Sequence, residues 1–419
     1  MKLLFLSDNF PPEVNAPATR TYEHCLEWVK AGVEITVITC APNFPQGRVH
    51  KGYRNRLWQS EEMDGIKVIR VWSYIAPNDG FYKRVLDYVS FGFMATLASL
   101  FVRTDLIVAT SPQFFTAVAG FTASVLKFKP WVMEVRDLWP ISIRAVGAVS
   151  GKEKILTRLE ALELFLYRRA AKVVVVTTGF REDLIRRGTP PEKIEVVTNG
   201  VYEYKFPVIP KDRELEQRLG LEGKFVLGYV GTHGLAHKLV FILNAAASAP
   251  PGIHFLFVGD GAKKKELEQQ VKKYKLTNVT LLPSVPKAEV ARYLSVTDAA
   301  LVNLRRADAF KTVIPSKIFE NAAMGKPILL GVEGESEAII KKYGAGLCFV
   351  PEDRAHFLQQ LERLATDQKL YAECRANCRP LAAAYDRGRL AGDMLRVLRK
   401  VAGGTEVAIK ARSVPRSSK

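Results

Sequence analysis

The sequence predicts an α/β protein built from two doubly wound domains, each a parallel sheet with helices on both faces. The 419 residues exceed what one hydrophobic core usually holds, so two domains are expected. Short apolar segments alternate with longer helical patterns along most of the chain. This alternation stops within residues 202–222, where prolines and charged residues follow no apolar period. We therefore expect two domains joined by a linker at 202–222.

Residues 1–201 are predicted to form the first domain. It opens with a strand, a polar loop at Asp8–Ala18 and a helix. The strands are predicted at Lys2–Ser7, Val33–Thr39, Lys67–Trp72, Asp105–Thr110, Pro130–Val135, Lys172–Thr177 and Ile194–Val197. The helices are predicted at Thr19–Lys30, Phe81–Arg103, Phe114–Phe128, Gly151–Ala171 and Gly179–Arg187. The polar segment 42–66 is predicted as a long loop, and loops of that size are often functional.

Residues 223–385 repeat the alternation and are predicted to form the second domain. The strands are predicted at Lys224–Tyr229, His254–Val258, Val279–Leu282, Ala299–Leu304, Pro327–Leu330 and Leu347–Val350. A further amphipathic helix at 386–402 is predicted to return to the first domain. The tail 403–419 is basic and lacks aromatic residues, so we expect it to be disordered. Two doubly wound domains facing one another leave a cleft between them.

The formal net charge of +18 is the unusual feature of the composition, and it is not confined to one tail. A dispersed basic excess favours an anionic partner such as a nucleotide, a nucleic acid or an anionic lipid surface. The alternative is a solvated basic surface with no partner.

The five cysteines are odd in number and lack paired spacing, which indicates a reduced, cytosolic chain. Cys374 and Cys378 could share a helix face, but no histidine or second cysteine pair is near them in sequence. There is also no D-x-D motif, so no metal site is predicted. The apolar run at the N-terminus is too short for a signal peptide, and Ser7 and Asp8 interrupt it.

The segment 310–325, F-K-T-V-I-P-S-K-I-F-E-N-A-A-M-G, is the strongest candidate for an anion site. Pro315 disfavours helix before it, and Ser316 is predicted to cap the helix that follows. Free amides at that helix start, with the charges of Lys311 and Lys317, suit a phosphate or diphosphate. Glu320, about one turn further, is placed to accept hydrogen bonds from sugar or ribose hydroxyls. The alternative is an ordinary capped helix.

The helix at 81–103 is the most apolar of the chain. Its uninterrupted apolar part is short for a bilayer span. It is predicted either as a buried helix or as a helix that rests on an anionic membrane surface, because Lys83, Arg84 and Arg103 lie at its ends.

Six motifs in order along the chain resemble a family 4 retaining glycosyltransferase of the GT-B fold, in the branch of bacterial surface-polysaccharide enzymes similar to N-acetylfucosaminyltransferases. The resemblance implies two Rossmann-like domains facing a central cleft, with the acceptor in the first and the nucleotide sugar in the second. The motifs are F-P-P-E-V-N-A-P-A-T-R-T-Y-E-H at Phe10–His24, E-V-R-D-L-W-P at Glu134–Pro140, V-V-T-N-G-V at Val196–Val201, G-Y-V-G-T-H-G-L-A-H at Gly228–His237, F-V-G-D-G-A at Phe257–Ala262 and P-S-K-I-F-E-N-A-A-M-G-K-P at Pro315–Pro327.

The resemblance also implies roles for individual residues. Of the paired glutamates of the family, the second falls on Glu320, which is expected to bind the ribose. The first, which usually contacts the transferred sugar, falls on Thr312. The basic residues that hold the diphosphate in the family fall on Thr232 and His237, so Lys238 and Lys317 are the candidate cations. The residues expected to bind the donor are Asn15, Ala16, Gly231, Thr232, His233, Lys238, Lys311, Thr312, Pro315, Ser316, Lys317 and Glu320.

The implied reaction is sugar transfer with retention at the anomeric carbon, without a metal or a cofactor beyond the nucleotide-sugar donor, which is expected to be UDP-linked. Lys317 and Glu320 are expected to serve the leaving diphosphate nucleotide. Asp137 is expected to orient the acceptor hydroxyl or take its proton, or else to cap the turn before Trp139-Pro140. His24 is expected to pack. The acceptor is expected to be a lipid-linked saccharide, with the protein peripheral at the inner face of the plasma membrane.

Two other classes of function would account for part of the sequence. A nucleotide-sugar 2-epimerase on the same fold would need acid and base groups at the sugar carbon. A nucleic-acid-binding protein would explain the basic charge, but no basic strand with interleaved aromatic residues and no recognition helix is evident.

Overall fold

The structure, a computed structural model, describes residues 1–44, 46–75, 81–138 and 153–403, and it confirms two parallel-sheet α/β domains. The strands are β1 (Lys2–Leu6), β2 (Glu34–Cys40), β3 (Trp58–Met63), β4 (Ile66–Val71), β5 (Leu106–Thr110), β6 (Trp131–Val135), β7 (Lys172–Val175), β8 (Ile194–Val196), β9 (Phe225–Val230), β10 (Ile253–Val258), β11 (Val279–Leu282), β12 (Ala299–Asn303), β13 (Ile328–Gly331) and β14 (Gly346–Cys348).

Helices lie between most of these strands, and short 3₁₀ turns add to them at Pro191–Lys193, Glu203–Lys205, Leu235–His237, Lys287–Glu289 and Asp308–Phe310. The helices are α1 (Ala16–Lys30), α2 (Phe81–Leu100), α3 (Phe114–Lys127), α4 (Glu153–Arg169), α5 (Thr178–Arg186), α6 (Arg213–Arg218), α7 (Leu239–Ala246), α8 (Lys264–Lys273), α9 (Val290–Ser295), α10 (Lys317–Ala323), α11 (Glu335–Tyr343), α12 (Arg354–Thr366), α13 (Gln368–Ala384) and α14 (Arg387–Val401).

The first sheet has the strand order β3-β4-β2-β1-β5-β6-β7-β8, and its central strands are buried on both faces. Chain order reverses direction between β1 and β5, so the loops after these two strands face each other at the carboxyl edge. Edge strand β3 was not predicted, because its polar side chains lie within the predicted loop 42–66. It pairs antiparallel with β4 through a turn at Asp64-Gly65, both with positive φ.

The second sheet has the order β11-β10-β9-β12-β13-β14, and all of its pairs are parallel. Its order reverses between β9 and β12. The loop after β9 contains the predicted 231–238 segment, and the loop after β12 leads into the 310–325 segment. The topology therefore brings together two segments that are about eighty residues apart in sequence.

The predicted linker is partly helical. Helix α6 lies within 202–222, and Leu215 and Leu221 are buried with Val226 in the core of the second domain. Helix α14 returns to the first domain as predicted, where the Trp28 Nε1 donates to the carbonyl of Ala391 at 2.8 Å. The linker prediction was too long because this helix has only six residues and shows little apolar periodicity.

The chain crosses between the domains twice, and the two crossings are bonded to each other. The amide of Val201 donates to the carbonyl of Tyr385 at 3.0 Å, and the amide of Arg387 donates to the carbonyl of Val201 at 2.9 Å. Gly200 packs so closely that a Cβ there would lie 2.1 Å from the Tyr385 carbonyl oxygen. The crossings therefore form one compact connection.

Two helix starts differ from the predictions. Helix α1 begins at Ala16, three residues early, because Asn15 caps it by accepting from the amide of Ala18 at 2.9 Å and Pro17 fits its first turn. Ser316 makes no side-chain cap to α10; it is itself helical, and its carbonyl accepts from the amides of Phe319 and Glu320. In the four described ranges no helix is long and apolar enough to cross a bilayer.

Candidate active site

Lys317 lies at the carboxyl edge of the second sheet. Its Nζ is 5.3 Å from the ring centroid of Tyr229, a cation–π distance, and it packs directly against Gly231. A Cβ on Gly231 would come within 2.4 Å of the Lys317 Nζ, and this glycine has φ of 142°, so the position requires glycine. Desolvation lowers the pKa of Lys317, and the carboxylate of Glu320 partly opposes this shift. The chain therefore holds one cation against the loop after β9.

His233 belongs to that loop, and its side chain is fully buried. Within the described residues neither of its ring nitrogens has a hydrogen-bond partner. Desolvation, with Lys264 and Lys317 nearby, lowers the pKa of His233 to about 4. The backbone of Gly259, at the end of β10, crosses above the ring, where a Cβ would lie 3.1 Å from the Nε2. A neutral imidazole is thus held where two loops meet.

The neighbours of His233 in this loop are positioned by Tyr229 and Asn303. The Tyr229 hydroxyl donates to the carbonyl of Thr232 at 2.7 Å, and the Asn303 Nδ2 donates to the carbonyl of His237 at 2.8 Å. Desolvation and Lys317 lower the pKa of His237 to about 4. The loop conformation therefore depends on side chains from β9 and β12.

The two other predicted cations are engaged by carboxylates. Lys238 has its Nζ 3.7 Å from Glu352, and Lys311 has its Nζ 2.7 Å from Asp308. Both lysine side chains are about half exposed. Of the lysines predicted for the diphosphate, Lys317 is the one that packs against the glycine of the loop.

Glu320 faces charged residues of the cleft. Desolvation lowers the pKa of Lys287, while the carboxylates of Glu23 and Glu320 act in the opposite direction. The Lys287 Nζ also donates to the Thr19 hydroxyl of α1 at 3.3 Å, across the cleft. Lys287 was not predicted as a site residue, since its turn shows no motif.

Arg136 forms part of the opposing wall of the first domain. Its guanidinium donates to the carbonyls of Pro17 and Ala16 at 3.1 and 3.0 Å, which ties β6 to the start of α1. Desolvation lowers the pKa of Arg136 to about 9, against the opposing charge of Glu134. Asn15 and Ala16 therefore stabilise the start of α1 in this structure: Asn15 caps the helix, and the Ala16 carbonyl accepts from Arg136.

His24 packs on Trp28 as predicted, with ring centroids 5.6 Å apart.

Asp137 lines a cavity of about 210 Å³ between the two domains, whose second-domain wall includes Thr312. The amide of Asp137 faces the Ser111 hydroxyl at 3.3 Å. Its predicted alternative role beside Trp139-Pro140 lies outside the described residues. The residues that line the cavity are Asp137, Leu138, Gly179, Phe180, Glu182, Asp183, Arg186, Asp308, Ala309, Thr312 and Val313. The first-domain members from α5 were not predicted.

A second cavity, of about 240 Å³, lies within the first domain where the loops after β1 and β5 meet. Most of the residues that line it are polar, among them Asp8, Asn15, Asp87 and Gln113. Desolvation and the nearby charges of Asp87 and Glu13 raise the pKa of Asp8 well above its usual value. This cavity adjoins the interdomain cavity at Ser111. Ser111 lines the cavity of the first domain, and its hydroxyl accepts from the amide of Asp137, which lines the interdomain cavity.

Two doubly wound α/β domains that face one another across a cleft have the architecture of the GT-B class of glycosyltransferases. The model for the glycosyl transferase 4-like domain matches residues 15–200, and the model for glycosyl transferases group 1 matches residues 211–380. The chain belongs to this family of glycosyltransferases, and the resemblance of its motifs to family 4 glycosyltransferases of the GT-B fold is confirmed.

Named relatives and solved structures agree with this assignment. The putative colanic acid biosynthesis glycosyl transferase WcaI of Escherichia coli (strain K12) is 25% identical over 366 residues, which cover 84% of this chain and 89% of that protein. The probable glycosyltransferase WbjE of Pseudomonas aeruginosa is 27% identical over 271 residues, 64% of this chain and 67% of that protein. Anabaena Alr3699/HepE, solved with UDP-glucose, has a TM-score of 0.71 at 17% identity and covers 96% of this chain and 100% of its own.

Proposed function

We propose that this glycosyltransferase moves a sugar from a UDP-sugar to a lipid-linked saccharide, with retention of the anomeric configuration, in bacterial surface-polysaccharide synthesis. The observation that carries the proposal is the placement of Lys317 against Gly231, beside the buried His233, at the reversal point of the second sheet. The names of relatives that act in colanic acid and teichuronic acid biosynthesis support the pathway class. The neighbour bound to UDP-glucose supports the donor class.

The leaving group explains why a cation is needed at this point. As the bond from the sugar to the diphosphate breaks, negative charge grows on the diphosphate oxygens. A lysine ammonium that is already oriented and partly desolvated stabilises that charge more strongly than bulk water does. A diphosphate beside Gly231 would be within reach of the Lys317 Nζ, and a neutral His233 could donate one hydrogen bond. In the proposed reaction these groups serve the leaving diphosphate without a metal.

The acceptor is proposed to enter from the first domain. Asp137 and Thr312 line the interdomain cavity from opposite sides, so a hydroxyl placed there would meet a carboxylate on one side and the donor domain on the other. The polar cavity beside Ser111 offers room for the next part of the saccharide. Asp137 is proposed to orient the acceptor hydroxyl and take its proton as the glycosidic bond forms.

Heat denaturation in the presence of nucleotides tests the donor assignment. UDP or a UDP-sugar at about 100 times its Kd should raise the Tm of the wild type by roughly 5 °C, because the ligand binds only the folded protein. Glu320→Ala and Lys317→Ala should remove most of that shift, whereas Glu337→Gln, on the surface of α11, should keep it.

A wild type that no nucleotide protects would contradict the donor assignment. Incubation with the protecting UDP-sugar alone, followed by product analysis, separates transfer from the alternative chemistry. Release of an epimerised sugar without acceptor would favour the epimerase.

Helix α2 presents an apolar stripe to solvent. The stripe follows the helical repeat, and each of its side chains is at least 41% exposed: Leu86, Val89, Phe93, Leu97 and Leu100. Beyond the helix, Phe101 is 81% exposed and contacts Trp58, and exposed basic residues stand near both ends, at Lys83 and Arg103. We propose that this face rests on an anionic membrane surface and brings the lipid-linked acceptor to the first domain.

Flotation with vesicles that contain phosphatidylglycerol tests the membrane surface. Phe93→Ser combined with Leu97→Ser should lower the partition coefficient at least about tenfold, since each side chain contributes on the order of 1.5 kcal/mol when buried. Tyr274→Ser, which removes an exposed aromatic ring from the second domain, should bind as the wild type does. Equal binding of the stripe variant and the wild type would contradict the proposal.

A further inference from the structure

Glu335 makes a contact between the two domains that no motif predicted. It is the first residue of α11 in the second domain, and its carboxylate reaches the start of α5 in the first domain. The amide of Thr178 donates to the Oε1 at 2.7 Å, and the amide of Gly179 donates to the Oε2 at 2.8 Å. Both carboxylate oxygens are therefore bound by the other domain.

The start of α5 is a suitable partner for a carboxylate. The Thr177 hydroxyl caps this helix from within its own domain by accepting from the amide of Phe180 at 3.1 Å. That leaves the first two amides of the helix for an acceptor from elsewhere, and the positive end of the helix dipole favours an anion there. Glu335 supplies the acceptor and the charge at once.

The same contact seats Thr312 on the first domain. A Cβ on Gly179 would lie 2.5 Å from the Thr312 Cγ2 and 2.8 Å from its Cβ, so the glycine allows the two domains to approach this closely. Glu335 and Thr312 also belong to one local unit, because the amide of Glu335 donates to the carbonyl of Lys311 at 2.8 Å. The hydroxyl of Ser336 donates to the carbonyl of Val313 at 2.7 Å. When the Glu335 carboxylate binds the start of α5, Thr312 is therefore brought into contact with Gly179.

We propose that Glu335 is a positioning residue that holds the two domains closed, so that the cavity between Asp137 and Thr312 has the size needed for transfer. This inference rests on the proposed sugar transfer, because closure matters only if donor and acceptor meet in that cavity. Glu335 does not touch the reacting atoms. It acts through Gly179 and Thr312, which form facing walls of the cavity.

The role explains why a carboxylate stands at this point. The family glutamate that contacts the transferred sugar is absent at Thr312, and a threonine there leaves the space that Gly179 of the first domain occupies. The Glu335 carboxylate, on the helix that follows in the same domain, instead binds the backbone of the facing domain. The two hydrogen bonds of Glu335 thus add to the contact of Lys287 with Thr19 in holding the domains together.

The experiment compares Glu335→Ala and Glu335→Gln with Glu337→Gln in the full chain. Glu337 is a matched control, because it lies on the same helix but its carboxylate binds Lys341 on the surface at 2.6 Å. Spin labels at the exposed positions Arg158 and Lys342, with Cys348→Ser to remove a half-buried thiol, report the separation of the domains by pulsed EPR.

Glu335→Ala should shift the distance distribution to longer values and lower kcat at least about tenfold, as expected when two charge-assisted hydrogen bonds are replaced by hydrogen bonds to water. The protection by UDP should stay at the wild-type level, since the nucleotide is proposed to bind within the second domain. Glu335→Gln should give distances and a kcat between those of Glu335→Ala and the wild type, because its amide oxygen can still accept one hydrogen bond. Glu337→Gln should match the wild type in all three measurements.

Gly179→Ala approaches the same contact from the first domain and should also lengthen the distances, because its methyl group meets Thr312. Unchanged distances in both Glu335→Ala and Gly179→Ala would overturn the proposal. It would also be overturned if the UDP affinity of Glu335→Ala, taken from the protection, fell by the same factor as its kcat. The distances need no substrate. A wild type that transfers no sugar, with distances that still lengthen in the variants, would therefore refute the proposed function and leave the closure contact supported.

Discussion

Lys317→Met should lower kcat for sugar transfer about 10²–10³-fold, the usual effect of removing one preorganised group that stabilises developing charge. Methionine keeps the part of the side chain that packs against Gly231, so the change removes mainly the ammonium group and its cation–π contact with Tyr229. Because the charge on the diphosphate increases between the bound donor and the transition state, kcat should fall more than the affinity for UDP does. Initial rates at saturating donor, with UDP protection measured in parallel, give both quantities.

The matched control for this variant is Lys341→Met. Lys341 is 66% exposed and pairs with Glu337 on the surface of α11, so its loss should leave both measurements unchanged. A Lys317→Met enzyme with the kcat of the wild type would show that the diphosphate is neutralised elsewhere, and the lysines at 238 and 311 would then be the next candidates.

Arg20→Met should destabilise the protein by about 3–5 kcal/mol, the range found when one partner of a buried ion pair is removed. The Arg20 Nε lies 2.9 Å from the Glu134 Oε1, and both side chains are 1% exposed. The guanidinium also donates to the carbonyls of Val197 and Thr198, at 2.9 and 2.7 Å. Burial alone would raise the pKa of Glu134, but Arg20 and Arg136 hold it below its ordinary value. Without Arg20, the carboxylate and two carbonyls lose their partner.

Denaturation by urea, followed by far-ultraviolet circular dichroism, measures this loss for the domain that contains α1 and β6. Arg396→Ala is the control, because Arg396 is 61% exposed in its pair with Asp393, and it should change the free energy of unfolding by less than about 1 kcal/mol. The double variant Arg20→Met with Glu134→Leu should recover part of the stability, since it also removes the buried carboxylate. The recovery should stay partial, because the desolvated Arg136 then loses the opposing charge of Glu134. Equal stability of Arg20→Met and the wild type would contradict the assignment of a buried pair.

Much of the fold could be predicted from the sequence, because buried parallel strands appear as short apolar runs. The seven strands predicted for the first domain and the six for the second all have counterparts in the structure. Within the described ranges the strand that was missed is β3, an edge strand whose side chains alternate in exposure. The Asp64-Gly65 pair, at the turn into β4, was the available signal. The helix in the predicted linker was missed because it is short and charged.

The candidate site could be predicted where it depends on local chain order. The loop after β9 and the segment 310–325 were placed correctly relative to the strands, since the loop follows β9 directly and the segment begins a few residues after β12. The prediction that the Ser316 side chain caps α10 was wrong, because residues 315–316 already form part of the first turn of the helix. Gly334, with φ of 81°, marks the start of the helix that carries Glu335, but a helix start does not tell which residue it faces.

The sequence by itself determined the two doubly wound domains, the family, and the two segments that meet at the reversal point of the second sheet. These properties depend on hydrophobic periodicity and on residues close together in the chain. Only the tertiary structure decided that Lys317 packs on Gly231, that Arg20 pairs with Glu134, and that Glu335 binds the start of α5. The physical reason is that each of these contacts joins side chains or amides from distant elements, and their geometry exists only once both sheets have formed and the domains face one another.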